Sequence, residues 1–242
     1  MLSHELRNPL AAVVNAAKVM RAPWVKPEGV DQAVHIVERQ SRQMARLLDD
    51  LLDVSRITRG GIELRKEDVN LRDVIQTAAE AMMAVFEERN IRLTIDLPET
   101  ALPIRGDAAR IQQVIANLLS NSARYSPSGS PIRLSAFAGK DSITLKVKDQ
   151  GRGISPSMLS EIFELFVQDE QGLERSTGGL GIGLTLVRRI VELHGGTVHV
   201  VPKPKIQPQV RRDFEIVLNI PTEHSVFERS ARITKALLID DG

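Results

Sequence analysis

Hydrophobic positions in the first part of the chain follow a helical period. Leu2, Leu6, Leu10, Val13, Ala17 and Met20 fall at steps of three and four and form one apolar stripe. His4 lies two positions from both Leu2 and Leu6, about 200° around the helix at roughly 100° per residue, which predicts an imidazole facing solvent. Glu5 sits beside it and Asn8 one turn above. Pro9 has no N–H and its ring crowds the Glu5 carbonyl, so the helix is expected to bend there or begin afterwards. "APWVKP" breaks the pattern, and a second stripe follows at Ala33, Val37, Gln40, Met44, Leu47, Leu51 and Val54, a heptad seam interrupted only by Gln40. Two helices joined by a short turn make a hairpin. Each stripe is narrow, so apolar surface is left over, and pairing with a second copy would bury it in a four-helix bundle. "TRGGIELRKEDVNL" marks the boundary with a globular module.

Beyond that boundary the period alternates between helix and strand. A helix is predicted over residues 71–88, and Ile91, Leu93, Ile95 and Leu97 alternate as in a half-buried strand. Asp107 is placed to N-cap the helix "AARIQQVIANLLSNSARY". "PIRLSAFAGKDSITLKVKD" reads as two strands around a polar turn. Ser155 and Pro156 open a predicted helix at "SPSMLSEIF", and another follows the glycines at 178–183 and stops at Gly195. "TVHVV" and "DFEIVLNI" close the domain. Strands grouped among helices give an α+β class, an α/β sandwich with helices on one face of a mixed sheet.

Composition changes this picture little. The 242 residues are 42% hydrophobic and 26% charged, an ordinary globular balance with chain enough for two domains. A net charge of +1 gives no electrostatic reason to expect nucleic acid or an anionic membrane. The absence of cysteine excludes disulfides and thiolate chemistry and fits a reducing, cytoplasmic compartment. No apolar run approaches the ~20 residues that would cross a bilayer.

Three constellations carry candidate chemistry. Asn117 and Asn121 lie one turn apart beside the stripe of Ile111, Val114, Ile115 and Leu118, at the rim of the core. A carboxamide oxygen suits Mg²⁺, and Arg124 extends the same face toward a phosphate. Asp149 continues the alternation of Ile143, Leu145 and Val147, a carboxylate where apolar side chains go. Gly151 and Gly153 follow it, so the carboxylate could accept from a bound amino group such as that of adenine, or simply start a tight turn. "STGGLGIGL" places Gly178, Gly179, Gly181 and Gly183 before an amphipathic helix, an arrangement for an anion that is neither the Walker spacing nor a dinucleotide fingerprint. His35 falls in the helical hairpin, His199 and His224 lack ligand-spaced neighbours, His194 is placed to satisfy carbonyls at a helix end, and Phe163 and Phe166 read as core anchors.

In this order the pieces resemble a sensor histidine kinase of two-component signalling. "SHELRNPL" is similar to the family's phosphoacceptor box, "NLLSNSARYS" to its asparagine box, "DQGRG" and "GGLGIGL" to its two glycine boxes, and "EIFELF" to its phenylalanine box. The resemblance implies a truncated dimerisation and histidine-phosphotransfer hairpin at 1–60 and a Bergerat-type ATP-binding domain at 61–222. It implies autophosphorylation of His4 by ATP, with Glu5 orienting the ring and taking its proton and Asn8 placing water for dephosphorylation. Asn121 would hold Mg²⁺ with Asn117 alongside, and Arg124 would face phosphates. Tyr125 would line the nucleotide pocket with Ile154 and the glycines at 151 and 153. Asp149 would bind the adenine amino group, and Gly178, Gly179, Leu180, Gly181, Gly183 and Leu184 would form the lid over the triphosphate. A response-regulator receiver domain is the implied partner and a homodimer the implied assembly. After a linker at 223–234, residues 235–242 with Asp240 and Asp241 resemble the start of a receiver, as in a hybrid kinase. Beginning at Met1 omits turns that the family's first helix has before its histidine, so a sensory region is expected upstream. The alternative is an ATP- and receiver-binding scaffold, or a phosphatase-biased protein, with little kinase activity; an ATPase without a histidine acceptor leaves "SHELRNPL" unexplained.

Overall fold

The computed structural model describes residues 2–58, 61, 63–155, 158–167, 180–202 and 214–222; the side chains of residues 2–5, 50, 54, 57, 58, 202 and 214 lie outside that description. The chain divides into two units, one of Met1–Ile62 with Glu164–Gly183, the other of Glu63–Phe163 with Leu184–Gly242.

In the first unit, α1 (Leu2–Met20) and α2 (Pro27–Thr58) form the expected hairpin. The turn is closed by Ala22 N–H on Val19 O at 3.0 Å and Val25 N–H on Ala22 O at 3.1 Å. The helix does not begin after Pro9, as one alternative had it: α1 runs through Pro9, which is buried. Near the N-terminus the proline forfeits only the bond to the Glu5 carbonyl, a smaller loss than giving up the preceding two turns. The seam is lined by Ala16 and Ala33, small enough for close approach, and by Leu47. Leu10, expected on the stripe, is instead 50% exposed, and Val14, Val34, Leu48 and Leu52 are exposed with it. Both helices thus carry two apolar faces, of which the hairpin buries one. In the same unit Leu165, Leu180 and Ile182 pack with Leu6 and Leu47. Gly181 there has φ +68°, and a Cβ on it would lie 2.7 Å from Val167 O, so a glycine is required.

The second unit holds a five-stranded mixed sheet in the order β2-β4-β5-β7-β6, formed by β2 (Arg92–Asp96), β4 (Pro131–Ala138), β5 (Ser142–Asp149), β6 (Thr197–Pro202) and β7 (Phe214–Pro221). The β2–β4 pair is parallel and the others antiparallel. Facing registers place Leu134 opposite Val147 and Val147 opposite Ile216, with Leu145 opposite Leu218 one step on, all on the buried face. Helices α3 (Leu71–Glu88), α4 (Ala108–Tyr125) and α5 (Gly183–Leu193) supply the other side of the core through Ile75 and Phe86, Ile115 and Leu118, and Leu186 and Ile190. Each such side chain stabilises by about 1.5–3 kcal/mol relative to exposure. A small antiparallel pair of β1 (Glu67–Asn70) and β3 (Pro103–Gly106) has no strong alternation and was not foreseen.

The helix expected from Ser155 does not form within residues 158–167. Single turns stand there, with Met158 N–H on Ser155 O and Ile162 N–H on Met158 O, both at 2.9 Å; Pro156 lies outside the described residues. Phe166 has φ +66° and is 42% exposed, so it is not a core anchor; Ile162 is buried instead, and Phe163 is half-buried. Phe166 lies three residues beyond the expected helix, and its left-handed backbone turns it away from the position that a continued helical period would give it.

His194 closes α5 and ties it to α4. Its Nδ1 lies 2.7 Å from Ile190 O, an acceptor, so Nδ1 carries the proton. Nε2 is then bare and accepts the Asp107 N–H at 3.0 Å. Asp107 in turn caps α4, accepting from Arg110 N–H at 3.1 Å, and accepts from Arg65 N–H at 3.0 Å. Burial lowers the His194 pKa below 6.5, opposed by the Ile190 bond and by Asp107, while Lys66 lowers it further. The unfolded chain therefore takes up a proton first as pH falls. Stability is complete above pH 6.5 and is lost as pH drops through the lower native pKa. We expect the melting temperature to fall between pH 7.5 and 5.5, and His194→Gln to cost about 1–3 kcal/mol at pH 7.5 while flattening that slope. Thermal melts of both proteins across this range check it.

Candidate functional site

A functional site in the second unit grows from α4. The stripe of Ile111, Val114, Ile115, Leu118 and Leu119 is buried, which fixes the rotation of the helix. Asn117 and Asn121 are then half-buried beside the stripe, as expected, with Arg124 half-buried and Tyr125 45% exposed at the end of the helix. The Asn117 amide nitrogen is buried without a hydrogen-bond partner. A buried unsatisfied donor costs about 1–3 kcal/mol, so this one invites an acceptor from outside the chain.

Asp149 meets the same helix from the sheet. It is 4% exposed at the end of β5, on the face of Ile143, Leu145 and Val147, as its register predicts. Ser122 Oγ donates to its Oδ2 at 2.9 Å, and Gly151 N–H donates to its Oδ1 at 2.8 Å. Gly151 is held closely: a Cβ would lie 2.8 Å from Asp149 Oδ1 and 2.9 Å from Tyr125 O. Arg152 N–H reaches Tyr125 O at 3.4 Å, and the Arg152 guanidinium stands 5.0 Å from the Tyr125 ring centroid, a cation–π arrangement. Gly153 has φ +71° and Ile154 is half-buried. An acceptor-only carboxylate, an unsatisfied amide and a cationic edge form a site for a ligand with amino and phosphate groups.

The remaining sequence-derived residues lie elsewhere. Leu180, Gly181 and Gly183 are described with the hairpin unit, Leu184 follows in α5, and Gly178 and Gly179 lie outside the described residues. His4, Glu5 and Asn8 share α1; Asn8 is exposed, and the side chains of His4 and Glu5 lie outside the description. Asp240 and Asp241 are also outside it. Sequence reasoning missed Ser122 and the Arg152–Tyr125 pair. Ser122 was legible in principle, because it falls seven residues after Ile115 on the buried stripe, where a hydroxyl is as anomalous as a carboxylate on an apolar strand face.

A mixed sheet packed with helices and a buried carboxylate at a strand end make up the second unit. Residues 106–224 match the family of histidine kinase-, DNA gyrase B- and HSP90-like ATPases, and residues 1–60 match the His Kinase A phosphoacceptor domain. The chain belongs to the sensor histidine kinases and comprises their catalytic core. Hybrid signal transduction histidine kinase D of Dictyostelium discoideum is 34% identical over 82% of this chain and 13% of its own length. Autoinducer 2 sensor kinase/phosphatase LuxQ of Vibrio parahaemolyticus is 28% identical over 99% of this chain and 28% of its own. The solved structure of full-length ShkA in complex with AMPPNP is 26% identical, with a TM-score of 0.66 over 91% of this chain and 44% of that one. The chain thus spans less than a third of either of those two curated relatives.

The donor set fits a nucleotide, since the Asn117 amide lacks a partner and the space at Gly151 tolerates no Cβ. Gly151→Ala is expected to displace the Asp149 carboxylate and weaken ADP binding by about tenfold or more, at the 1–3 kcal/mol typical of overpacking. Calorimetric titration, with a melting curve as control for folding, measures this.

Proposed function

We propose that this chain transfers the γ-phosphoryl group of ATP to His4 and passes it to an aspartate of a response-regulator receiver. The observation that carries the reading is the buried Asp149 carboxylate at the end of β5, hydrogen-bonded to Ser122 of the helix that holds Asn117 and Asn121, in a chain whose first residues match a phosphoacceptor domain. Asp149 accepts from the adenine amino group, and Tyr125, Gly151, Gly153 and Ile154 line the base. Asn117 and Arg124 face the phosphates, where charge neutralisation and positioning supply most of the catalysis. Asn121 would hold Mg²⁺ through its carboxamide oxygen, the ion neutralising phosphate charge when bound. By the family resemblance, the glycine segment at 178–183 and Leu184 would serve as the lid over the triphosphate.

At the acceptor, an imidazole nitrogen of His4 attacks the γ-phosphorus, the bond to the ADP oxygen breaks, and Glu5 takes the ring proton. The acceptor and the nucleotide lie on separate modules, 1–60 and 61–222, so the segment between them must let the two meet. A second copy of the chain covers Leu10, Val14, Val34, Leu48 and Leu52, which the hairpin leaves exposed. Removal of phosphate from the receiver is a second activity, favoured by Asn8, which is exposed one turn after His4 and so able to place a water. The match to LuxQ extends over 99% of the chain, which supports reading 223–234 as a linker and 235–242 as the start of a receiver in a hybrid kinase. No described helix is long and apolar enough to cross a membrane, and the lack of cysteine accords with a cytoplasmic location.

Incubation with γ-labelled ATP and Mg²⁺ is expected to give a label that is lost in acid and retained in alkali. His4→Gln should abolish the label and leave ADP affinity unchanged; a label that persists in this variant refutes His4 as acceptor. Leu48→Glu with Leu52→Glu should convert the dimer to monomer in sedimentation analysis.

A further inference from the structure

The deepest polar contact of the second unit is the one between Ser122 and Asp149, 5% and 4% exposed. We propose that Ser122 is a positioning residue for base recognition: its hydroxyl holds the Asp149 carboxylate in the orientation that reads a purine 6-amino group. The inference rests on the reading of Asp149 as the adenine acceptor and adds to it the group that makes the acceptor specific.

The chemistry follows from the donor inventory. A serine hydroxyl has one proton, and here it is spent on Asp149 Oδ2 at 2.9 Å. Oδ1 receives the Gly151 N–H at 2.8 Å. Each oxygen therefore has its own donor, from a different element, and rotation of the carboxylate about its Cβ–Cγ bond would break both bonds at once. Backbone N–H at Gly151 comes with the loop itself. Ser122 alone among the two donors is a side chain that can be removed without disturbing the backbone.

Position on α4 adds a second consequence. Ser122 follows Asn121 directly and stands five residues after Asn117 on one rigid helix. The buried stripe that orients the two carboxamides also aims the Ser122 hydroxyl, so base reading and the asparagine pair share one frame.

The experiment compares ADP with purine riboside 5′-diphosphate, which has hydrogen in place of the 6-amino group, by calorimetric titration of the full chain. The wild type should prefer ADP by about tenfold or more. Ser122→Ala should lose most of that preference by weakening ADP, with the purine analogue changed by no more than about twofold. Ser122→Cys nearly keeps the side-chain volume with a poor donor, and should behave as Ser122→Ala in its nucleotide selectivity, with both variants melting at a lower temperature than the wild type but still cooperatively. Equal weakening of both ligands, or wild-type selectivity in Ser122→Cys, would overturn the proposal by making Ser122 a packing residue. A wild type that binds both nucleotides equally would instead sink the Asp149 reading itself, and that outcome is visible before any variant is made.

Discussion

A carboxylate aimed into an apolar core is tolerated only where donors meet it. Asp149 occupies the last inward position of β5, and leaving it without partners would cost several kcal/mol. Ser122 and the Gly151 amide meet it instead, which forces α4 and the turn after β5 into register with each other. The buried stripe sets the rotation of α4 and this contact agrees with it, so Asn117, Asn121 and Arg124 come to the rim of the core as a group.

The same helix is tied at its other end by a neutral imidazole. Asp107 caps α4, and its own N–H is taken by His194 at the end of α5. Helix α4 is thus held by polar contacts at both termini and by the stripe of Ile111, Val114, Ile115, Leu118 and Leu119 between them. Apolar packing alone resists translation poorly along a smooth stripe; directional bonds at the two ends set the position along the axis. A helix fixed in this way holds Asn117, Asn121 and Ser122 in one rigid frame.

The helical hairpin works by an opposite logic. Its seam is made with small residues such as Ala16 and Ala33, and a second row including Leu10, Val14, Leu48 and Leu52 faces outward. Such a pair is not a finished fold, since an exposed apolar row of this kind calls for a partner surface. Within the globular unit the core is complete; within the hairpin it is shared. This difference suits a division of labour in which one module holds the nucleotide rigidly and the other presents an acceptor on a surface that other molecules approach.

Much of this was legible in the sequence because it rests on local periodicity. Strand alternation alone placed Asp149 inside, helical spacing put Asn117 and Asn121 at the rim, and the turn residues marked the hairpin and the cap at Asp107. Periodicity failed at residues 158–163, where single turns stand in place of the helix expected from Ser155, and at Phe166, which takes φ +66° and turns outward. It failed also for β1 and β3, which have too few residues to show a period and exist because each pairs with the other. Which of two apolar faces on α1 and α2 is buried, that Ser122 meets Asp149 across 27 positions, and that His194 meets Asp107 across 87 were decided only by the tertiary structure. Composition and spacing say which groups need partners, whereas the identity of a distant partner depends on how the elements pack, and no local pattern records it.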